Sequence, residues 1–141
     1  MPKKIDYYLS PSSPWAYLGH QRFIEIARRH DAEIALKPVD YGRIFPATGG
    51  LPLKQRPKAR QAYRMMELRR WRARLGIELI LEPKFTPVDA APAARLIIAA
   101  MREGRDGLSL TAAIMRALWA EDRDIADRVT LAAIATAQGH D

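Results

Sequence analysis

Ile5-Asp6-Tyr7-Tyr8-Leu9 runs into Ser10-Pro11-Ser12-Ser13-Pro14 and then into Trp15-Ala16-Tyr17-Leu18. The first five residues are short, aromatic and apolar, bounded by Lys3-Lys4 and by a Ser/Pro cluster, which predicts a buried strand ending in a turn. Pro14 suits the first position of a helix, where no N–H is needed, with Ser13 as its N-cap. Leu18, Phe23, Ile26 and Ala27 then recur at helical spacing as far as Arg28-Arg29-His30, cations suited to a helix C-terminus. From Glu33 to Val39, Ile34, Leu36 and Pro38 alternate with Glu33, Ala35 and Lys37, a second strand that Pro38 confines to its final residues or to an edge. Strand, helix and strand make a βαβ unit, which lays the two strands parallel with the helix over one face.

Beyond this unit, Asp40 to Pro57 carries Gly42, Pro46, Gly49, Gly50, Pro52 and Pro57, and reads as a loop long enough to need either a functional reason or disorder. A helix is expected from Pro57, with Met65, Leu68, Trp71 and Leu75 as its apolar stripe, arginines on the opposite face and Gly76 as its stop. Leu79 to Pro83 reads as an extended connector, followed by a corner at Phe85-Thr86-Pro87-Val88-Asp89. Three Ala/Leu/Ile-rich helices are expected at 87–103, 107–121 and 127–138. There are no repeats and no low-complexity segment.

The chain has 141 residues, 48% hydrophobic and 28% charged, the size and composition of one globular domain and not of a disordered tail. Residues 1–141 are read as a single domain, with the βαβ unit and active-site loop at 1–50 and a helical region at 51–141. The apolar runs are too short to span a bilayer, and Met1-Pro2-Lys3-Lys4 leads into no signal-peptide core, so a cytoplasmic location is expected. With no cysteine, disulfides, thiolate metal sites and a protein-borne dithiol are excluded, and any sulfur chemistry must arrive with a ligand. The net charge of +7 points to acidic partners or substrates. It is concentrated: between Lys54 and Arg74 nine basic residues face a single acid, Glu67.

Ser13 stands where chemistry is favoured. The first amides of a helix lack internal partners and the dipole end is positive, so a thiolate, carboxylate or phosphate held there is stabilised. In thioredoxin-like proteins this junction carries the reactive cysteine; here the tetrad is Ser13-Pro14-Trp15-Ala16, whose hydroxyl can donate to an incoming thiolate. On the residues alone, Ser13 reads first as a plain N-cap. The run 5–9, the Ser13 to Leu18 segment, Asp40 to Gly50, Arg69-Arg70-Trp71, Leu75-Gly76-Ile77, Ala117 to Glu121 and Asp124-Ile125 together resemble 2-hydroxychromene-2-carboxylate isomerases. These are relatives of the kappa-class glutathione transferases with a DsbA-like thioredoxin fold.

The resemblance implies an α/β, thioredoxin-like βαβ unit with a large helical insertion, and a glutathione-dependent isomerase acting on an aromatic unsaturated carboxylate by reversible thiolate addition. It implies Ser13 as the catalytic residue holding the glutathione sulfur. Pro14, Trp15, Gly50, Arg56 and Lys58 are its expected glutathione-binding companions, with Lys54 less firmly placed. Gly49-Gly50 stands where the family often has Gly-Asn, leaving only backbone contact at that point. Family members continue past the helix at 127–138 into a loop with a cis-proline, a strand pair and a closing helix, and these elements are expected to be missing from this chain. A homodimer is expected from the same resemblance, with no membrane or nucleic-acid partner.

Other residues are weaker candidates. His20, His30 and His140 make a poor ligand set, and no metal is expected. Asp40 could order the loop or touch substrate. Trp15, Tyr41, Phe45, Tyr63 and Phe85 could wall an aromatic pocket, with core packing equally open for Tyr63 and Phe85. Three alternatives stand beside the isomerase: a kappa-class-like transferase, an inactive shortened relative, and a basic nucleic-acid-binding module using the 57–75 helix, in which Trp71 is core.

Overall fold

The computed structural model describes residues 3–139. In chain order it contains β1 (Lys3–Leu9), α1 (Pro14–Arg29), β2 (Ala32–Pro38), α2 (Tyr41–Thr48), a 3-10 turn at Leu53–Gln55, α3 (Lys58–Leu75), α4 (Ala91–Arg102), α5 (Gly107–Trp119) and α6 (Arg128–Ala137). β1 and β2 pair in parallel, in register from Lys3 opposite Ala32 to Leu9 opposite Pro38. The Val39 N–H continues the ladder by donating to the Leu9 carbonyl at 2.8 Å. Pro38 closes β2 as its last residue, where its missing N–H disturbs least.

β1, expected as a buried strand, is covered on one face only. Leu9 is buried and Ile5 and Tyr7 partly so, while Lys4, Asp6 and Tyr8 face solvent. The outer face is polar by construction: Lys4 pairs with Glu33 at 3.6 Å and Lys37 with Asp6 at 2.7 Å. The Lys37 ammonium also sits 5.2 Å from the Tyr8 ring centroid. These exposed contacts keep the sheet's outer face wet more than they hold it together.

The core is organised on α5, against which α1, α4 and α6 pack. Leu110, Ile114, Met115, Ala117 and Leu118 are fully buried there, and Leu110, Ile114, Ala117 and Leu118 join Leu9, Leu36, Leu68, Ile97 and Ile125 in one cluster with most of the remaining core. Asp106 starts α5 by accepting from the Leu108 and Ser109 amides, the capping that satisfies otherwise orphaned donors. Gly107 follows because nothing larger fits: a Cβ there would lie 2.4 Å from Met101 Cγ and 3.5 Å from a Leu36 methyl.

Two expectations are corrected. The 40–57 segment is not a plain loop but contains α2, begun by Asp40, whose carboxylate accepts from the Gly42 N–H, and ended by Gly49 in the left-handed region at φ +74°. Its Pro and Gly content masked a capped, two-turn helix whose interior Pro46 removes one internal bond. The helix expected at 87–103 starts later, at Ala91, because Pro92 rather than Pro87 occupies its first turn and Asp89 accepts from the Ala91 N–H at 2.9 Å. α5 and α6 agree with their expected spans to within two residues. The Thr86-Pro87 peptide is cis.

His20 locks α1 to the core. A carbonyl only accepts, so the 3.0 Å contact from His20 Nε2 to the Leu108 carbonyl puts the proton on Nε2, and Nδ1 accepts from the Tyr7 hydroxyl at 3.2 Å. Burial lowers the His20 pKa against the opposing effects of the Leu108 bond and the Asp106 charge, and burial pushes the Tyr7 hydroxyl up to about 12.

Two outcomes follow for stability. As pH falls through about 6.5 the unfolded chain takes up a His20 proton that the folded chain refuses, so stability declines on acidification and is fully present above that pH. Urea midpoints taken across that range show the decline, and His20→Gln removes its contribution to the slope. Gly107→Ala overpacks the Met101 contact and lowers stability by about 1–3 kcal/mol, whereas Gly19→Ala, with open space around its Cβ, leaves stability unchanged or raises it by about 0.5–1 kcal/mol.

Candidate active site at the β1–α1 junction

Leaving β1, the chain turns through Ser10-Pro11-Ser12-Ser13, with the Ser13 N–H donating to the Ser10 carbonyl at 3.0 Å and proline second in the turn, its preferred place. The Ser10 and Ser12 hydroxyls bond at 3.0 Å. Ser13, extended at φ −81° and ψ 119°, caps α1: its Oγ accepts from the Ala16 N–H at 3.1 Å and its carbonyl from Tyr17. Pro14 occupies the first helical position.

The bonding leaves a directed surplus. Ser13 Oγ accepts one bond, while its own proton has no acceptor among the described residues, and neither does the Trp15 N–H. Both donors lie at the positive end of a 16-residue helix. Acting as N-cap and donating to an anion therefore use different parts of one hydroxyl, and the structure accommodates both.

Gly50, Arg56 and Lys58 form a separate local group. The Gly50 N–H donates to the Phe45 carbonyl at 2.9 Å, and a Cβ on Gly50 would lie 2.9 Å from the Phe45 ring. Arg56 Nε donates to the Leu51 carbonyl at 2.9 Å, and the Arg56 carbonyl accepts from Gln61 at 2.7 Å. Lys58 opens α3 exposed, and Lys54 is exposed on the 3-10 turn. Among the described residues no hydrogen bond or ion pair joins Ser13 to Gly50, Arg56 or Lys58. Burial, and secondarily the neighbouring Arg56 charge, holds the Arg64 guanidinium below its ordinary pKa. Asp40, the other loop candidate, is occupied in capping α2.

The five candidate aromatics do not wall one pocket. Tyr41 and Phe45 stack on each other, 5.1 Å between centroids and 12° between planes. Tyr63 and Phe85 are both exposed, so neither packs in the core. Trp15 instead borders a cleft of about 220 Å³ with Leu18, Gly19, Arg22, Trp71 and Leu75. Trp71, which its spacing puts in the apolar stripe of α3, is 44% exposed. At 3.6 residues per turn it lies roughly 60° from Leu68, at the edge of the stripe, so the signal for its exposure was present in the spacing. Arg22 carried no signal, being one cation among many. A larger depression of about 490 Å³ around Arg72, Gly76, Leu79 and Ala120 shares no residue with the junction.

Among the described residues no group of three His, Cys, Asp or Glu is placed to hold a metal. His20 is committed to the core, His30 ends α1, and His140 lies outside the described residues. No helix among the described residues is long and apolar enough to cross a membrane.

The cap itself is testable. Ser13→Ala removes the acceptor for the Ala16 N–H and lowers stability by about 1 kcal/mol, while Ser13→Asp keeps an acceptor there and restores most of that loss; urea denaturation of the three chains measures both.

Comparison with known proteins places this geometry in a family. The model of the DSBA-like thioredoxin domain matches residues 4–141. A curated 2-hydroxychromene-2-carboxylate isomerase from Pseudomonas putida is 28% identical over 82 residues, which is 57% of this chain and 40% of that protein. The chain thus matches less than half the length of that relative. A solved 2-hydroxychromene-2-carboxylate isomerase superposes over 98% of this chain and 66% of its own with a TM-score of 0.73 at 22% identity. The cytosolic disulfide reductase DsbM from Pseudomonas aeruginosa does so over 96% of this chain and 64% of its own, at 0.69 and 21%, and has also been solved with GSH. A parallel β1–α1–β2 unit with a serine-capped helix start at its junction, helices stacked beyond it and a family match from residue 4 onward lead to one conclusion: the chain belongs to the DSBA-like thioredoxin domain family.

Proposed function

We propose that this chain forms the thiol-activating part of a glutathione-dependent isomerase of the 2-hydroxychromene-2-carboxylate type, acting on an aromatic unsaturated carboxylate. The observation that carries the reading is the chemistry of the junction: a serine hydroxyl with its proton uncommitted, at the positive end of α1, in a tetrad without sulfur. A Ser13-Pro14-Trp15-Ala16 tetrad has no dithiol to oxidise, which favours isomerisation over the disulfide chemistry named for DsbM.

The residues present fit glutathione. When bound, glutathione supplies a nucleophilic sulfur that adds to and leaves an unsaturated substrate without net redox change. Ser13 Oγ–H donates to that sulfur, and the free Trp15 N–H and the helix dipole add positive potential, favouring thiolate over thiol. Arg56 keeps guanidinium N–H groups beyond its bond to Leu51, and Lys58 has no hydrogen bond or ion pair among the described residues, so both can pair carboxylates of cofactor or substrate. Gly50 offers backbone alone, its side-chain space being taken by Phe45.

Calorimetric titration with glutathione tests this. Binding weakens about tenfold or more in Ser13→Ala, as loss of a charge-assisted hydrogen bond requires, and the loss is largest at pH values where the thiol is ionised. Equal binding by the folded Ser13→Ala chain, or no binding by the folded parent, contradicts the reading.

A further inference from the structure

α3 is held to the fold along one narrow side. It packs on α1, and of its 18 residues Leu68 is the one that is buried. At about 100° per residue, the side turned away from Leu68 carries Ala59, Ala62, Met66 and Ala73, all exposed. This apex is apolar but low, made of alanine methyls and one thioether. Cations flank it: Lys58 and Arg69 line one edge, and Arg60, Arg70 and Arg74 line the other, all exposed. Lys58, Arg60, Arg69 and Arg74 have no side-chain hydrogen bond or ion pair among the described residues. Arg70 pairs with Glu67 at 2.9 Å, an exposed bridge of the kind that contributes little and that an external anion can replace.

Several anionic partners carry the complementary charge, and the shape of this face selects among them. A bilayer takes up large apolar side chains from a helix lying on it, and alanines do not supply them. An acidic helix from another protein needs apolar anchors to bury, which the low apex also lacks. Single-stranded nucleic acid stacks its bases on aromatic rings, but Trp71 is turned into the cleft beside α1, leaving Tyr63 unaccompanied on the open side. Duplex DNA fits each feature. Its major groove, about 12 Å wide, admits an α-helix, a low apex allows close entry, and arginine matches phosphate oxygens. Duplex DNA also presents one negative charge per roughly 1.7 Å of its axis. We infer that α3 is a docking surface for duplex DNA, lying in the major groove with Lys58 and Arg69 toward one phosphate backbone and Arg60, Arg70 and Arg74 toward the other. The apex methyls and thioether bring no hydrogen-bond donor to the base edges, so binding is independent of sequence. The resemblance to the isomerases predicts no nucleic-acid partner; the exposure of α3 on both flanks and apex is what outweighs it. Ser13 takes no part, and the activity stands or falls apart from the thiol chemistry.

Fluorescence anisotropy of a short labelled DNA duplex titrated with the whole chain tests this. Affinity falls with added salt at a log–log slope of about −4 to −5, close to one unit per phosphate contact, and duplexes of unrelated sequence bind alike. Arg69→Gln and Arg74→Gln, one from each flank, each lower affinity about threefold or more and make the slope shallower by about one unit. Arg102→Gln, which removes the same charge from the exposed end of α4, changes neither. Ala62→Glu sets a carboxylate between the flanks and weakens binding about tenfold or more. No duplex binding by the folded chain at low salt overturns the inference, as does a single strand bound as tightly as the duplex, a loss in Arg102→Gln equal to that in Arg69→Gln, or parent-like binding by the flank variants. Tighter capture by phosphatidylserine vesicles or by polyglutamate through the same arginines overturns it too, assigning the face to lipid or to acidic protein. Glutathione affinity unchanged in the Arg69 and Arg74 variants keeps this face distinct from the Ser13 site, whereas a parallel loss merges the two and removes the separate function.

Discussion

Two parallel strands cannot be joined by a tight turn; the connection must travel the length of the strand and return, and a helix is the compact way to do it. Pairing β1 with β2 therefore dictates α1, and the start of α1 must follow directly on the C-terminal end of β1. Everything of chemical interest derives from that constraint. Ser13 caps because the chain must enter a helix there, and the Trp15 N–H beside it has no acceptor among the described residues because no preceding turn exists to use it. The rest of the fold anchors α1 in place, through α5 beneath it and through the Tyr7–His20–Leu108 chain of hydrogen bonds.

Those parts were legible because each rests on local physics with a strong signature. Pro14 after Ser13 marks a helix start, Ile34, Leu36 and Pro38 mark one buried face of a strand, and Gly76, at φ +63°, marks the end of α3. The misreadings arose where two local rules compete. In 40–50 the turn-forming composition outweighed an N-cap at Asp40 and a left-handed Gly49 that together define a short helix. In α3 the stripe Met65, Leu68, Trp71 and Leu75 was right in period but too wide, since Leu68 alone is fully enclosed and Trp71 lies at its margin. For β1 the apolar sequence predicts a buried strand, whereas Tyr8 lies outside beside Lys37.

The site was half legible for a related reason. Ser13, Pro14 and Trp15 are neighbours in sequence, so the junction is visible before any folding is considered. The relation of Gly50, Arg56 and Lys58 to it depends on tertiary placement, and each proves to have local duties: packing on Phe45, bonding the Leu51 carbonyl, opening α3. The Trp15–Trp71 cleft is purely tertiary, bringing together residues more than fifty positions apart on helices that touch.

The central claim is electrostatic: the junction at Ser13 stabilises a thiolate. Replacing the serine by the element at issue tests it without any ligand, because the chain has no other cysteine to confuse the signal. Ser13→Cys, titrated by the ultraviolet absorbance of its thiolate, is expected to ionise well below the ordinary value of about 8.5, within the range of roughly 3.5–7.5 seen where helix N-termini and cations act on a thiol. A thiol that ionises at or above its ordinary value contradicts the account.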